Sequence, residues 1–367
     1  MRVSVNQSGN TIEVAGFGEP IVLEVTGLEL ATLQDHTFAA WLMLPWAMKT
    51  GEAIEIDGPV DSLAIKNIMQ FSKAWELWEP KKFHPVKVIA ASEPLPTEKT
   101  EDFVFYSGGL DSTDMLLQLG KQAQPTTALT VQGFDYAPSA DHQFTKLREQ
   151  MAPLLEELNY KQVMLRISRK SGGYHSWGLQ LASAGFLFSD HFRTGFFSAD
   201  FNWEQDMAVF PRGSNHITNR YFEGENFQLL GLCEDRTRAM KAQTVARHPI
   251  AIKAASFCKR KEFRPRNCGT CSKCLRTKAM FAVLDEKPDI FVDGSYDPSF
   301  FKSIDLNNKI ERAFFVDLCQ MAKENGKLDQ IPEMKVIFER LKRPPSKSSV
   351  AIEKIMKRIH KIRSNRM

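Results

Sequence analysis

The stretch Phe103-Val-Phe-Tyr-Ser-Gly-Gly-Leu-Asp-Ser112 decides how this chain is read. Phe103–Tyr106 has the apolar character of a short buried strand, a double glycine turns the chain, and a helix follows through Leu119, with Gly120 as its natural stop. At such a strand-to-helix junction the physics favours an anion. Gly108 and Gly109 can take positive φ and let backbone N–H groups approach a phosphate with no Cβ in the way. The helix, expected to begin at about Asp111, presents unpaired N–H groups and its positive dipole end. Ser107 and Ser112 add hydroxyl donors on either side of Leu110. A carboxylate would otherwise repel a phosphate, so Asp111 makes sense mainly as a partner for Mg²⁺. The plainer alternative is a tight turn in which Asp111 merely caps the helix, with Asp114 at N3. A Walker-type loop is excluded, because Gly120-Lys121 lacks both the upstream glycine and the following hydroxyl. A second Ser-Gly-Gly, at residues 171–173, lacks the Asp-Ser and reads as a loop.

Working outward, strands alternate with helices. Thr127–Val131, Gln162–Ile167 and Arg193–Phe197 read as strands; Thr145–Leu158, Trp177–Ser189 and Arg236–Arg247 read as helices. This rhythm predicts an α/β fold with a doubly wound, mostly parallel sheet over residues 99–287. Residues 1–98 read as an α+β accessory domain, with strands at Thr11–Val14, Ile21–Val25 and Ala53–Ile56 and helices near Thr37–Met48 and Val60–Trp75. The polar, proline-containing stretch Ser92–Thr100 reads as a linker. Residues 288–367 form a helical region (Asn307–Glu324, Ile331–Leu341), broken by Pro344-Pro345. Beyond the break, Ile352, Ile355, Ile359 and Ile362 mark an apolar stripe on a basic helix.

The composition, 43% hydrophobic and 25% charged over 367 residues, suits a chain that buries a real core and rules out wholesale disorder. The longest apolar stretch, Phe38–Met48, contains Pro45 and falls far short of the ~20 residues a membrane-spanning helix needs. No apolar segment of a secretory signal follows Met1-Arg2, so a soluble, cytoplasmic protein is expected. The net charge of +4 is uneven: residues 341–367 hold nine Lys/Arg against Glu353 alone, which leaves the body mildly acidic. That balance speaks against a nucleic-acid-binding surface spread over the body.

Four of the six cysteines, Cys258, Cys268, Cys271 and Cys274, fall within seventeen residues. Four thiolates satisfy a closed, structural Zn²⁺ site, and Gly269 eases the chain around the metal. Disulfides and an iron–sulfur cluster are the competing readings of the same residues.

Ser107–Ser112 is similar to the pyrophosphate-binding loop of the PP-loop ATP pyrophosphatases. The order of motifs, with Cys258-x₉-Cys268-Gly-Thr-Cys271-Ser-Lys-Cys274-Leu-Arg276 at the end of the α/β domain, resembles the 7-cyano-7-deazaguanine synthase family. Met240-Lys241-Ala-Gln-Thr-Val245 resembles that family's Thr-Lys-Ala-Glu-Ile-Val stretch. The likeness covers roughly residues 102–285 and excludes the N-terminal section and the C-terminal helices. The segment 195–222 is not a clear match to the family's substrate region.

The resemblance implies an ATP-dependent ligase that activates a small carboxylate as an acyl-adenylate, releases pyrophosphate, and offers the adenylate to ammonia or an amine. Ser107, Gly108, Gly109, Leu110, Asp111 and Ser112 would bind the pyrophosphate with Mg²⁺. Lys241 is the candidate for a second phosphate contact, its alternative being a solvated helix lysine. No glutaminase signature is apparent, so free ammonia or an external amine is the expected nucleophile. Tyr174, His175 and Trp177, and the polar run Pro211–Arg220, are nominated as substrate contacts, with ordinary loop or core roles as the plainer reading. A second hypothesis is a PP-loop enzyme that modifies a macromolecule, a tRNA or a protein terminus, by analogy with related proteins of phage-defence systems. A third is a zinc-stabilised nucleic-acid-binding module without catalysis. The basic tail could dock on the body, contact tRNA or lie on an anionic membrane surface. Whether the chain forms a homo-oligomer is left open.

Overall fold

Phe103 and Phe105 face one core while Val104 and Tyr106 face another, so the strand that precedes the glycine turn is buried on both sides. The structure, a computed structural model, describes residues 1–342 apart from 95–97, 121–124, 170–172, 174 and 297–298. Its strands are β1 (Arg2–Ser8), β2 (Thr11–Ala15), β3 (Ile21–Thr26), β4 (Ile54–Pro59), β5 (Val88–Ser92), β6 (Asp102–Phe105), β7 (Thr127–Gln132), β8 (Lys161–Ile167), β9 (Thr194–Ser198) and β10 (Gln228–Leu232). The helices are α1 (Thr37–Thr50), α2 (Ser62–Trp78), α3 (Leu110–Leu119), α4 (Asp141–Glu157), α5 (Trp177–Phe186) and α6 (Trp203–Val209). They continue as α7 (Arg238–Ala246), α8 (Pro249–Ala254), α9 (Ser272–Val283), α10 (Phe300–Ser303), α11 (Lys309–Glu324) and α12 (Pro332–Leu341).

All ten strands join one sheet in the order β10-β9-β6-β7-β8-β3-β2-β1-β4-β5. The pairs among β6 to β10 are all parallel. Their spatial order is doubly wound: the chain steps outward from β6 through β7 to β8, then returns to β6's other side with β9 and β10. The helices α3 and α4 cover one face and α5 the other, so the direction of winding switches between β6 and β9. The α/β, mostly parallel sheet expected from the sequence is therefore present.

The N-terminal section joins the central sheet. Strand β3 pairs antiparallel with β8, with Leu23 opposite Ile167, and so carries the meander β1–β3 and the parallel pair β4–β5 onto the edge of the central sheet. The boundary expected near residue 98 divides the chain but not the packing. One core unites Val3, Trp41 and Phe71 with Phe103, Leu165 and Phe186; the other unites Leu110 and Met151 with Phe281, Phe315 and Leu318 of the last two sections. Helix α1 is buried almost all round, with Trp41 packed edge-on against Phe71 and Phe222, which explains its unbroken apolar run. Sequence reading passed over β1, which pairs with β2 and β4, β5, which pairs with β4, and β10, which pairs with β9. No helix among the described residues is long and apolar enough to cross a membrane. The basic stripe from Ile352 to Ile362, and Tyr174, lie outside the described residues.

Asp61 fastens the two halves. Its Oδ1 caps α2 by accepting the N–H groups of Leu63 and Ala64 at 3.0 Å, and its Oδ2 accepts those of Glu225 (2.7 Å) and Asn226 (3.1 Å) just before β10. Asp61→Ala removes a helix cap and two charge-assisted bonds from a buried position. The expected cost is about 2–4 kcal/mol, read as a lower urea midpoint with an unchanged slope.

Candidate anion-binding site and four-cysteine centre

The glycine turn sits at the carboxyl end of β6, beside the place where the winding reverses. That is where open α/β sheets form ligand crevices. Gly108 takes φ +71°, and a Cβ there would meet Met151 Sδ at 2.9 Å, so the residue is fixed both by conformation and by the packing of α4. Gly109 behaves differently from the expectation: its φ is −72° in extended backbone, and it serves as the N-cap of α3. The helix begins at Leu110, one residue earlier than expected, and no side chain caps it. Asp111 is therefore not a cap, and the first N–H groups of the helix keep their donors. Asp114, fully buried, is spent on a bidentate pair with Arg236 at 2.8 and 2.9 Å. The hydroxyls of Ser107 and Ser112 lie 3.2 Å apart and brace the turn, with Ser112 Oγ also donating to Gly109 O.

A cavity of about 340 Å³ opens over this turn. Ser107, Gly109, Asp111 and Ser112 line it, with Thr130 and Val131 from the end of β7 and Phe197 and Ser198 from β9. Two regions of its wall differ in chemistry. Phe134, Trp177 and Leu181 make an apolar part, and Trp177 lies 5.8 Å from Phe134. Arg212, Arg238, Lys273 and Arg276 make a cationic part.

The cations are unevenly matched. Arg238 donates to Asp111 Oδ2, Arg212 to Asp200, and Arg276 to Glu311 at 2.7 Å. Lys241 Nζ is fully buried, donates to Ala199 O and stands 3.8 Å from Asp111 Oδ1. Lys273 has no ion pair or side-chain hydrogen bond among the described residues. Burial, with Arg238 and Arg276 beside it, pushes the Lys273 pKa below its ordinary value. Burial likewise lowers the Arg276 pKa to about 10. Desolvation opposes the charge of the half-buried Asp200, yet Arg212, Arg238 and Lys241 hold its carboxyl below the usual range. Three buried atoms are left over: the Nε of Arg238, the Nε of Arg276 and Oδ1 of Asp111 have no hydrogen-bond partner. Leftover guanidinium donors in a cationic wall suit an oxyanion, while Asp111 Oδ1 faces the Lys241 ammonium at 3.8 Å.

Of the residues expected from sequence, the turn Ser107–Ser112 forms the cavity floor. Lys241 is not a solvated lysine; it lies behind Asp111 rather than on the cavity wall. Arg212 and Trp177 reach the cavity, whereas His175 packs against Phe83 and Trp75, where burial lowers its pKa to about 4. Asn215 caps its own turn through Ile217 N and Thr218 N, and His216 pairs with Asp206 at 2.7 Å. Arg238 and Lys273 were missed. Each sits within a quoted motif or beside one, but only the fold shows which way it faces.

The four cysteines form a second centre against the same wall. Cys258, Cys268, Cys271 and Cys274 are buried, and their sulfurs all lie within 4.8 Å of one another. Cys268 and Cys274 are 3.8 Å apart, the sulfur–sulfur edge of a tetrahedron with Zn–S bonds of ~2.3 Å. Thr270 N and Cys271 N donate to Cys268 Sγ, and although burial opposes it, these bonds bring the Cys268 pKa down. Gly269, at φ +84°, passes so close to Asp293 O that a Cβ would stand 2.0 Å away. None of the cysteines is in a disulfide. Asn267 accepts Phe257 N at 2.9 Å and donates to Ala255 O at 3.0 Å, which keeps Cys258 beside the later three. One residue earlier, Ser256 N donates to Gly108 O at 2.7 Å, tying the cysteine segment to the glycine turn.

The purified chain is expected to carry stoichiometric zinc by elemental analysis. Cys271→Ser should lose most of it and lower the melting temperature markedly, because binding energy at such a site is folding energy. Comparison of the chain with protein-family models, curated proteins and solved structures returned no match.

Proposed function

We propose that this chain is an ATP-dependent, adenylate-forming ligase of the PP-loop kind. The observation that carries the reading is the pairing of an uncapped helix start behind a glycine turn with a cationic wall in which Arg238 and Arg276, although ion-paired, each keep a buried, unpartnered Nε. A polyphosphate meets both requirements at once: backbone N–H groups and a helix dipole for one end, guanidinium forks for the other.

In this reading the turn Ser107–Ser112 holds the β- and γ-phosphates that leave as pyrophosphate. Mg²⁺, when bound, would neutralise phosphate charge, and the Asp111 carboxylate is the group of the turn that would hold it. Lys241 and Arg238 fix the Asp111 carboxylate, so Lys241 acts as a positioning residue rather than a phosphate ligand. Arg276, Lys273 and Arg212 offset the charge that develops on the α-phosphate as a substrate carboxylate attacks it. The carboxylate gains AMP as a leaving group in place of hydroxide, and ammonia or an amine then displaces AMP to give the amide. The apolar wall at Phe134, Trp177 and Leu181 suits a flat ring. The cysteine centre, closed and buried, has a structural role.

The test is ATP turnover with Mg²⁺, ammonium and a panel of acids that includes 7-carboxy-7-deazaguanine, with nucleotide products resolved. AMP and pyrophosphate are expected from the wild type. Asp111→Asn should reduce their formation at least ~100-fold in protein shown to be folded at the assay temperature, with a lower melting temperature because Arg238 and Lys241 lose their carboxylate. Production of ADP and phosphate, or full turnover by Asp111→Asn, would refute the assignment. AMP formed with none of the small acids would direct the search to a tRNA or protein acceptor.

A further inference from the structure

Helix α11 lies outside the stretch that carries the family resemblance, yet one of its faces meets the site residue after residue. Ile310 and Phe314 line the cavity. Glu311 pairs with Arg276 at 2.7 Å. Asp317 accepts Ala239 N at 2.8 Å, at the start of α7, the helix that carries Arg238 and Lys241. These positions succeed one another at helical spacing, so they share a face of α11.

We infer that α11 is the positioning element of the anion site, and that Phe314 is the residue through which it sets the guanidinium groups. The side chains form a chain of stacked contacts. Arg212 Cζ lies 4.5 Å from the ring centre of Phe201, Phe201 and Phe314 stack at 4.9 Å with 22° between their planes, and Arg276 Cζ lies 4.0 Å from the Phe314 ring centre. Arg238 Cζ is 5.7 Å from the same ring. Phe201 and Phe314, with Val209 and Ala313, make a small core of their own, separate from the two large ones.

The physical point is what stacking leaves free. An ion pair fixes a guanidinium by consuming its N–H donors, whereas an aromatic face attracts the cation through the ring quadrupole and leaves the donors at the guanidinium edge. Arg276 and Arg238 combine the two, one nitrogen of each in an ion pair (Glu311 and Asp111) and the Phe314 ring beside each guanidinium, and each retains a buried, unpartnered Nε. Phe314 thus orients the donors without occupying them, and the stack on Phe201 passes the same restraint to Arg212. A wall pre-set in this manner avoids the ordering cost that three flexible arginines would otherwise add to anion binding.

This inference rests on the proposed polyphosphate reading, and the experiment separates the two. Mg·ATP and inorganic pyrophosphate are titrated calorimetrically into the full-length wild type and its variants. Phe314→Leu is expected to weaken both about tenfold, and Phe314→Tyr, which keeps the ring, to restore binding to within about twofold. Phe315→Leu, a neighbouring change in the large core, should lower the melting temperature without that loss of affinity. If Phe314→Leu fails to fold, Phe201→Leu interrupts the same stack from its other end and is expected to show the same tenfold loss. Wild-type binding that survives Phe314→Leu or Phe201→Leu unchanged, or that falls equally in Phe315→Leu, would overturn the role of α11 alone. A wild type that binds neither probe would overturn the polyphosphate reading, and this inference with it.

Discussion

The constraint on which this structure turns is an excess of positive charge that cannot spread into water. Arg212, Arg238, Lys241, Lys273 and Arg276 gather around Asp111, Asp200 and Glu311, so five cations face three carboxylates, with Lys241 fully buried and Arg238 and Arg276 nearly so. An uncompensated buried charge is among the most costly features a fold can carry, and such groups persist where a function uses them. The eight residues come from the segment after β9 and from α3, α7, α9 and α11. Much of the tertiary packing in the second half of the chain therefore serves to bring these charges to one wall.

The cysteine centre belongs to the same arrangement. Cys271 is the N-cap of helix α9, and Cys274 lies in its first turn, so the residues that would hold a metal also set the position of Lys273 between them and of Arg276 shortly after. On the other side, Ser256 ties the segment entering the centre to Gly108 of the turn. A tetrahedral thiolate site is rigid, and a metal held by these four cysteines would fix both the floor and one side of the cavity.

The N-terminal section contributes through the sheet rather than through the cavity. By pairing with β8 it covers what would otherwise be an exposed edge of a parallel sheet, and α1, apolar on every side, can exist only because α2, α5 and Phe222 enclose it. Asp61 closes this half onto the residues before β10, far away in sequence.

Local chemistry made part of this legible from the residues alone. Phe103–Tyr106 followed by two glycines specifies a strand and a turn, because only a buried strand is apolar on both faces and only glycine reaches the positive φ of Gly108 beneath Met151. The cysteine spacing likewise fixed which four side chains could share a metal. Other features depended on distances that no sequence spacing encodes. Lys241 reads as exposed or as a ligand until the fold buries it behind Asp111; Arg238, Lys273 and Phe314 become a wall only when α7, α9 and α11 meet; β10 becomes a strand only beside β9. Turns and metal loops are set by conformational and coordination rules that act over a few residues. The direction of a cation and the neighbour of a ring are set by packing, which acts between segments a hundred residues apart.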